Sequence, residues 1–155
     1  IGATNVFRVL GPVPAILAFT LDLLKGILAI YLIMLFTDRP EIIVISGLCA
    51  IIGHTFPVFL KFKGGRGAAT GLGILLGIAP EIFIAAVITV ALIILITRYV
   101  SVASIITPIL VMVAFIIMQK PLPYTIAMAI ITFLIIVRHI PNIKRLLKRK
   151  ENKIW

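Results

Sequence analysis

Acidic residues are scarce in this 155-residue chain, which has 5 Asp and Glu against 15 Lys and Arg. It has two histidines and a single cysteine, Cys49, so an intrachain disulfide is excluded. These few residues show no spacing typical of a metal site and assemble no Ser-His-Asp or Cys-His triad. The sequence therefore predicts no metal and no cofactor, and any catalysis would depend on cations and backbone N–H groups.

Charge of either sign is sparse, because 13% of the residues are charged and 62% are hydrophobic. A soluble domain has about 25% charged and about 45–50% apolar residues. One small core cannot cover so much apolar surface, so the surplus is expected to face a lipid bilayer. The net charge of +10 then indicates positive-inside bias and anionic ligands rather than nucleic acid.

Apolar stretches predict an all-α membrane protein with six membrane helices, one of them short. About 20 residues cross a bilayer core. The 68–97 region admits one helix kinked at Pro80, or a short helix, a turn at Pro80-Glu81 and a full span. The turn puts 12 of the 15 cations on one face and 2 on the other, as the positive-inside rule favours. The predicted segments are 13–36, 42–60, 68–79, 82–97, 102–118 and 124–137.

We expect these segments to form a single transmembrane domain, residues 1–155, with a basic cytoplasmic tail at 138–155. Both ends of the chain would then be cytoplasmic. The chain begins in a sequence typical of a loop interior, so we expect further residues to precede it.

The densest polar insert is residues 61–67, which hold three cations and three glycines between two apolar segments. Glycines let backbone N–H groups converge on an anion, and a helix predicted from Ala68 adds positive potential at its N-terminus. A loop made basic only for topology is the competing interpretation, but topology does not require glycines. The spacing is not that of a P-loop. The predicted phosphate-binding residues are Lys61, Lys63, Gly64, Gly65, Arg66, Gly67 and Thr70.

Four further residues stand within or beside the apolar segments. Asp22 and Lys25 share a helix face at i, i+3 and can pair within the membrane, either for function or for structure. His54 has packing as its default role, because a lone histidine in an apolar helix is more often a packing residue. His139 follows the last segment at the expected membrane surface, where it would titrate near neutrality or simply end the helix.

Hydroxyl and amide side chains form two smaller groups. Thr4, Asn5 and Arg8 make a polar cluster near the start of the chain. Ser101 and Ser104 open the segment after Arg98-Tyr99, where capping or bonding to the helix backbone is the ordinary role of serine.

Three blocks resemble the PlsY family, the bacterial membrane acyl-phosphate:glycerol-3-phosphate acyltransferases. They are Ile1–Arg8, Gly53–Thr70 and His139–Leu147, in the family's order. The resemblance implies transfer of a fatty acyl group from acyl phosphate to the 1-hydroxyl of glycerol 3-phosphate, giving lysophosphatidic acid and phosphate. It also implies the bacterial inner membrane. The charge count puts the active site on the cytoplasmic side, and we expect a monomer.

The resemblance also implies roles for particular residues. The glycine loop and Ser104 would hold acyl phosphate, and the other catalytic residues would handle glycerol 3-phosphate or the reacting phosphate. The implied catalytic residues are Arg8, Arg66, Ser104, His139 and Asn142. Thr4, Asn5 and Ser101 are expected beside them as substrate contacts.

Two departures from the family pattern qualify this resemblance. Arg66 stands where the family has Lys, which keeps the charge but changes the geometry. The family has a seventh helix and a Gly-Ser-Gly-Asn run before Ile1, so the sequence reads as an N-terminally truncated member. The alternatives are an organic-phosphate transporter or channel, although no internal repeat supports one, and a non-catalytic subunit that binds anionic lipid through the basic tail.

Overall fold

The computed structural model describes residues 2–155, and every regular element in this part of the chain is a helix. The expected all-α class is confirmed. Two compact units divide between Pro80 and Glu81, and the expected single domain stays a prediction. The helices are α1 Ala3–Leu10, α2 Pro12–Met34, α3 Pro40–Thr55, α4 Ala68–Ile78, α5 Pro80–Thr97, α6 Val100–Ile117, α7 Leu122–Arg138 and α8 Ile140–Leu147, with a 3₁₀ turn at Val58–Leu60.

The predicted break in the 68–97 region is confirmed, but it falls at Ala79, and Pro80 and Glu81, where the turn was expected, belong to α5. Helix α4 ends at Ile78, and Ala79 leaves helical geometry with φ −155° and ψ 75° before α5 begins at Pro80. Proline suits this first helical position because its missing N–H would have no partner there. The 68–97 region is therefore a short helix followed by a long one, as the charge count favours.

Four helices, α2, α3 (with its 3₁₀ extension), α5 and α6, are long and apolar enough to cross a bilayer. Only 11–28% of their most apolar windows is buried inside the protein, so most of their apolar surface is available to lipid. Helices α7 and α8 pass the same test together, with a 53° bend between them. Helix α4 has 11 residues, about 16 Å, which is short of the ~30 Å hydrocarbon core. Six membrane segments therefore stay a prediction.

Two short helices were not expected from the sequence. The polar lead-in forms α1, and the basic tail begins with α8, each eight residues long. In α8 the apolar Ile143, Leu146 and Leu147 alternate with cations at helical spacing, the pattern of a helix at a membrane surface.

In the first unit, α4 is held by close contact with α2. A side chain at Gly73 would collide with the carbonyl of Leu23 and the N–H of Ile27. On the facing helix, a side chain at Gly26 would collide with the carbonyl of Thr70. Small residues of this kind let two helix backbones touch, which is a common way to join helices in membranes. The short helix is thus fixed in place, and its N-terminus positions the loop that precedes it.

In the second unit, polar contacts mark the two ends of the helices. The ammonium group of Lys120 pairs with the carboxylate of Glu81, joining the end of α6 to the start of α5. At the other end, the N–H of Ile154 donates to the carbonyl of Arg98 at 2.9 Å. The ammonium group of Lys153 lies 5.8 Å from the centre of the Tyr99 ring. The last residues therefore fold back over the start of α6.

Candidate active site

The glycine loop, residues 61–67, connects α3 to α4 through a tight reversal. After the 3₁₀ turn, Lys61 and Phe62 both adopt positive φ, at 51° and 61°. The chain then returns along the end of α3, and Gly67, the N-cap residue of α4, has φ 83°. Residues other than glycine rarely adopt a positive φ of this kind, so Gly67 has a conformational reason to be glycine. The predicted passage from the loop directly into a helix is confirmed.

The glycines of the loop rest on the last turn of α3. A side chain at Gly65 would collide with the imidazole of His54, and one at Gly64 with the carbonyls of His54 and Thr55. The N–H of Gly65 also donates to the carbonyl of His54, at 3.2 Å. That N–H is engaged within the protein, so an anion nest in this loop would use other amides. Close packing is thus a second reason for the glycines, one that the sequence did not reveal.

The cations of the loop point outward while its base is buried. Lys61, Lys63 and Arg66 are exposed, and Gly65 and Gly67 are buried. Thr70 is completely buried, and its hydroxyl has no hydrogen-bond partner among residues 2–155. The structure therefore presents the three cations to a ligand and places the Thr70 side chain in the interior. Phosphate binding by the loop stays a prediction.

An ion-pair cluster joins α2 to the end of α3. Lys25 Nζ lies 2.9 Å from Asp22 Oδ1, which confirms that these residues pair. His54 Nδ1 lies 3.3 Å from the same oxygen. A cleft of about 560 Å³ borders the cluster and is otherwise lined largely by apolar residues, including Leu28 and Leu60. His54 packs on the loop, as its default role predicts, and it also contacts a carboxylate, which the sequence did not indicate.

The first polar cluster lies on α1, which packs against α2. Thr4, Asn5 and Arg8 are spaced i, i+1 and i+4, so Arg8 lies one turn beyond the other two. Arg8 is exposed in the last turn of the helix, and Thr4 is half-buried. The structure thus groups these three predicted site residues on a single short helix.

In the second unit, His139 and Asn142 lie at the junction of α7 and α8. His139 is 2% exposed and Asn142 is 1% exposed, so both side chains are buried in the protein. The position of His139 at the membrane surface stays a prediction. His139 Nδ1 lies 2.8 Å from the carbonyl oxygen of Ile135, an acceptor that requires Nδ1 to carry the proton. Asn142 Oδ1 is buried and has no hydrogen-bond partner among residues 2–155.

Glu151 anchors this junction, and sequence reasoning did not assign it a site role. Its carboxylate accepts hydrogen bonds from Asn142 Nδ2 and from Arg145 Nε, each at 2.6 Å. Burial raises the pKa of Glu151, but the hydrogen bonds from Arg145 and Asn142 outweigh burial, so its pKa lies below the ordinary value. The signal available in the sequence was that Glu151 is the only acid in the basic tail.

Ser101 and Ser104 occupy the first two turns of α6, on one face at i, i+3. Ser101 is buried and Ser104 is half-buried. Neither caps the helix, because Tyr99 is the N-cap residue and makes no side-chain cap. Capping, one of the two ordinary roles expected of them, is therefore excluded, whereas bonding to the helix backbone and binding of substrate stay predictions.

This fold and these sites define a class of protein. It is an all-helical membrane protein in which polar residues gather at helix ends and a basic glycine loop leads into a short buried helix. Among residues 2–155, no three His, Cys, Asp or Glu side chains lie together as metal ligands. The chemistry available in the described part of the chain is that of cations, hydroxyls, amides, imidazoles and a few paired carboxylates.

Comparison with known proteins identifies the family within this class. The sequence profile of the glycerol-3-phosphate acyltransferase family matches residues 1–149. A glycerol-3-phosphate acyltransferase of Syntrophomonas wolfei subsp. wolfei is 42% identical over 154 residues, which make up 99% of this chain and 78% of the relative. The chain belongs to the glycerol-3-phosphate acyltransferase family, and the resemblance to PlsY is confirmed.

Solved structures agree with this assignment. Two crystal structures of PlsY, an integral membrane glycerol 3-phosphate acyltransferase, are 37% identical to this chain, with TM-scores of 0.92 and 0.93. They cover 98% of this chain, which spans 78% and 76% of theirs. One is the lysophosphatidic acid form and the other the glycerol 3-phosphate form. With its apolar helices, this likeness makes the chain a multi-pass integral membrane protein.

Proposed function

We propose that this protein transfers a fatty acyl group from acyl phosphate to the 1-hydroxyl of glycerol 3-phosphate, releasing lysophosphatidic acid and phosphate. The observation that carries the proposal is the loop at residues 61–67, which presents three exposed cations on a glycine base packed against the end of α3. Membership of the glycerol-3-phosphate acyltransferase family supports the acceptor and the reaction class. The crystal forms of PlsY with glycerol 3-phosphate and lysophosphatidic acid are named for this acceptor and this product.

Acyl phosphate as the donor fits the residues present. The acyl group of a mixed anhydride is already activated, so no covalent enzyme nucleophile is needed. The 1-oxygen of glycerol 3-phosphate forms a bond to the acyl carbon, the bond from that carbon to the phosphate oxygen breaks, and a substrate phosphate takes the hydroxyl proton. Positioning and neutralisation of two phosphates then supply the catalysis.

In the first unit we assign the donor phosphate to the glycine loop. Lys61, Lys63 and Arg66 neutralise it, and Arg66 can hold two of its oxygens at once. Gly64, Gly65 and Gly67 set the backbone path, and Thr70 supports the first turn of α4 from within. Arg8, with Thr4 and Asn5 beside it on α1, supplies a further cation and polar contacts for phosphate.

In the second unit we assign the acceptor to the junction of α7 and α8. The buried Asn142 Oδ1 is available to accept a hydrogen bond from a glycerol hydroxyl, because Nδ2 of the same amide is held by Glu151. His139 is fixed by its bond to Ile135 and orients the acceptor beside Asn142. Ser104 and Ser101 contribute hydroxyls from α6 to binding of acyl phosphate.

We place this activity at the cytoplasmic face of the bacterial inner membrane, in a monomer. The clustering of basic residues beside the predicted cytoplasmic segments supports that orientation. The bilayer would deliver the acyl donor, and glycerol 3-phosphate would arrive from water.

The test is an assay of the full chain in lipid with acyl phosphate and glycerol 3-phosphate, measuring lysophosphatidic acid and released phosphate in equal amounts. Arg66→Ala should lower kcat/KM about 100-fold, because a charged phosphate contact is lost. Arg66→Lys should retain most activity, since the PlsY family resembled here has Lys at this position. Arg39→Ala, in the turn before α3, is the matched control. Absence of both products from the unsubstituted protein would reject the enzyme, and phosphate-ester uptake into liposomes would then favour the transporter.

A further inference from the structure

We propose that Asp22 and His54 are positioning residues that hold the glycine loop, residues 61–67, in the conformation that binds the phosphate of the acyl donor. The inference rests on the proposed function, because it concerns how the loop engages its substrate. Neither residue belongs to the phosphate-binding or catalytic set described above. The pair connects α2, the end of α3 and the loop within the first unit.

One face of α3 forms the base of the loop. Ile51, His54 and Thr55 are spaced i, i+3 and i+4, so they share a face at the last turn of the helix. Ile51 lies under Gly67, and His54 lies under Gly65. The loop conformation therefore depends on which side chains occupy this face and on how firmly they are held.

The imidazole of His54 is held from both sides. Its Nδ1 lies 3.3 Å from Asp22 Oδ1. Its Nε2 edge faces the position that a side chain at Gly65 would occupy. The side chain is 7% exposed. The ring thus acts as a spacer between α2 and the loop, and its orientation is set by the Asp22 carboxylate.

The surrounding space explains why the carboxylate is needed. The cleft of about 560 Å³ is lined by both His54 and Asp22. Without the contact to Asp22, the imidazole has room to rotate into this cleft and leave Gly65 unsupported. A carboxylate in a membrane helix costs free energy unless it is paired. Lys25 pairs with Asp22 but has a side chain 58% exposed, so His54 is the more enclosed partner.

The same geometry argues against a direct catalytic role for His54. One ring nitrogen is directed at Asp22 and the other lies against Gly65. A base must come within hydrogen-bond reach of the proton that it takes, and neither nitrogen is turned outward from the loop. The pair acts on the substrate through the loop.

A double-mutant cycle tests the contact between His54 and Gly65. Gly65→Ala should lower kcat/KM for acyl phosphate about 100-fold, because its methyl group collides with the imidazole. In the His54→Ala background the same substitution should cost less than about threefold, because the colliding ring is gone. Gly64→Ala is the matched control. It collides with backbone carbonyls that His54→Ala leaves in place, so its cost should be equal in both backgrounds. Equal costs for Gly65→Ala in both backgrounds would overturn the proposal.

The role of Asp22 is tested by separating KM from kcat. Asp22→Ala and His54→Ala should raise KM for acyl phosphate about tenfold, while kcat and KM for glycerol 3-phosphate change less than about twofold. His54→Gln should recover part of the loss, because its amide can still donate to the carboxylate. Gly53→Ala, on the same helix turn with open space around it, should leave all three constants unchanged. A fall in kcat with unchanged KM for acyl phosphate would contradict a positioning role.

A readout without turnover separates this inference from the proposed function. Trypsin cleaves after the exposed Lys61 and Lys63, and the cleavage rate reports how firmly the loop is held. Asp22→Ala should raise that rate about tenfold. The melting temperature of the protein in detergent should stay nearly unchanged, because the effect is confined to the loop. If the unsubstituted protein forms no lysophosphatidic acid, the proposed function fails, and the cleavage rates still decide whether Asp22 and His54 hold the loop. Unchanged rates would reject the inference in either case.

Discussion

At the scale of the residue, the carboxylate of Glu151 shows how one buried charge organises a site. It receives hydrogen bonds from Arg145 and Asn142 at 2.6 Å each. Glu151→Gln should lower the free energy of unfolding by about 2 kcal/mol, because a charge-assisted bond becomes a neutral one. The measurement is the melting temperature in detergent, with an expected fall of about 5 °C. Lys150→Gln, at the exposed neighbour, is the control and should leave the melting temperature unchanged.

The pH dependence of that difference is a stricter check on Glu151. Its pKa in the folded protein lies below the ordinary value, so the unfolded chain binds the proton more readily. The stabilisation is therefore complete above the unfolded pKa of about 4.3 and is lost as pH falls through the folded pKa. The gap in melting temperature between the unsubstituted protein and Glu151→Gln should be full at about pH 7 and close below about pH 4. A constant gap across this range would show that the ionised carboxylate is not the source of the stabilisation.

The exposure of charged residues was easier to predict from the sequence than contacts between residues on different helices. The exposed cations Lys61, Lys63 and Arg66 stand out in an apolar sequence, and the structure places them outward. His54 and Asp22 lie on different helices and are 32 positions apart in the chain. A single sequence carries no signal of such a pair. Glu151 was visible as a lone acid in the basic tail, but only folding back of the tail gives it partners.

At the scale of the element, the crossing of α2 and α4 depends on two glycines. Gly73→Ala should lower the free energy of unfolding by about 1–3 kcal/mol, because its methyl group collides with the backbone at Leu23 and Ile27. The melting temperature in detergent should fall by about 5 °C, and activity should fall with it because α4 carries the loop. Gly53→Ala, with nothing within 4 Å, is the control. An unchanged melting temperature would mean that α2 and α4 can move apart without lowering the stability of the protein.

Apolar helices were predictable from the sequence, and the two short polar helices were not. The apolar stretches gave α2, α5 and α7 within about two residues at most ends, because length and hydropathy alone determine such helices in lipid. Helices α1 and α8 have eight residues each and a polar character, so no apolar run in the sequence predicts them. Amphipathic spacing is their only signal, and it is weak over two turns.

At the scale of the whole molecule, the number and direction of membrane crossings follow from which helix ends share a face. Within the second unit, the pair of Lys120 and Glu81 marks one end, and the contact of Ile154 with Arg98 marks the other. These contacts agree with the charge count, which puts Glu81 on the side opposite to the basic tail. In the six-segment topology, cysteines introduced at Glu81 and Lys144 should therefore be labelled from opposite sides of the membrane.

The labelling experiment uses an impermeant thiol reagent on intact spheroplasts and on inverted vesicles. Cys49 is free and exposed, so it is first replaced by alanine. Glu81→Cys should react in spheroplasts and Lys144→Cys in inverted vesicles, because each preparation exposes only one face of the membrane to the impermeant reagent. Asp38→Cys, in the turn before α3, should react like Glu81→Cys if α3 crosses once and α4 returns the chain to the outer face. Labelling of Glu81→Cys and Lys144→Cys from one side would break the six-segment topology.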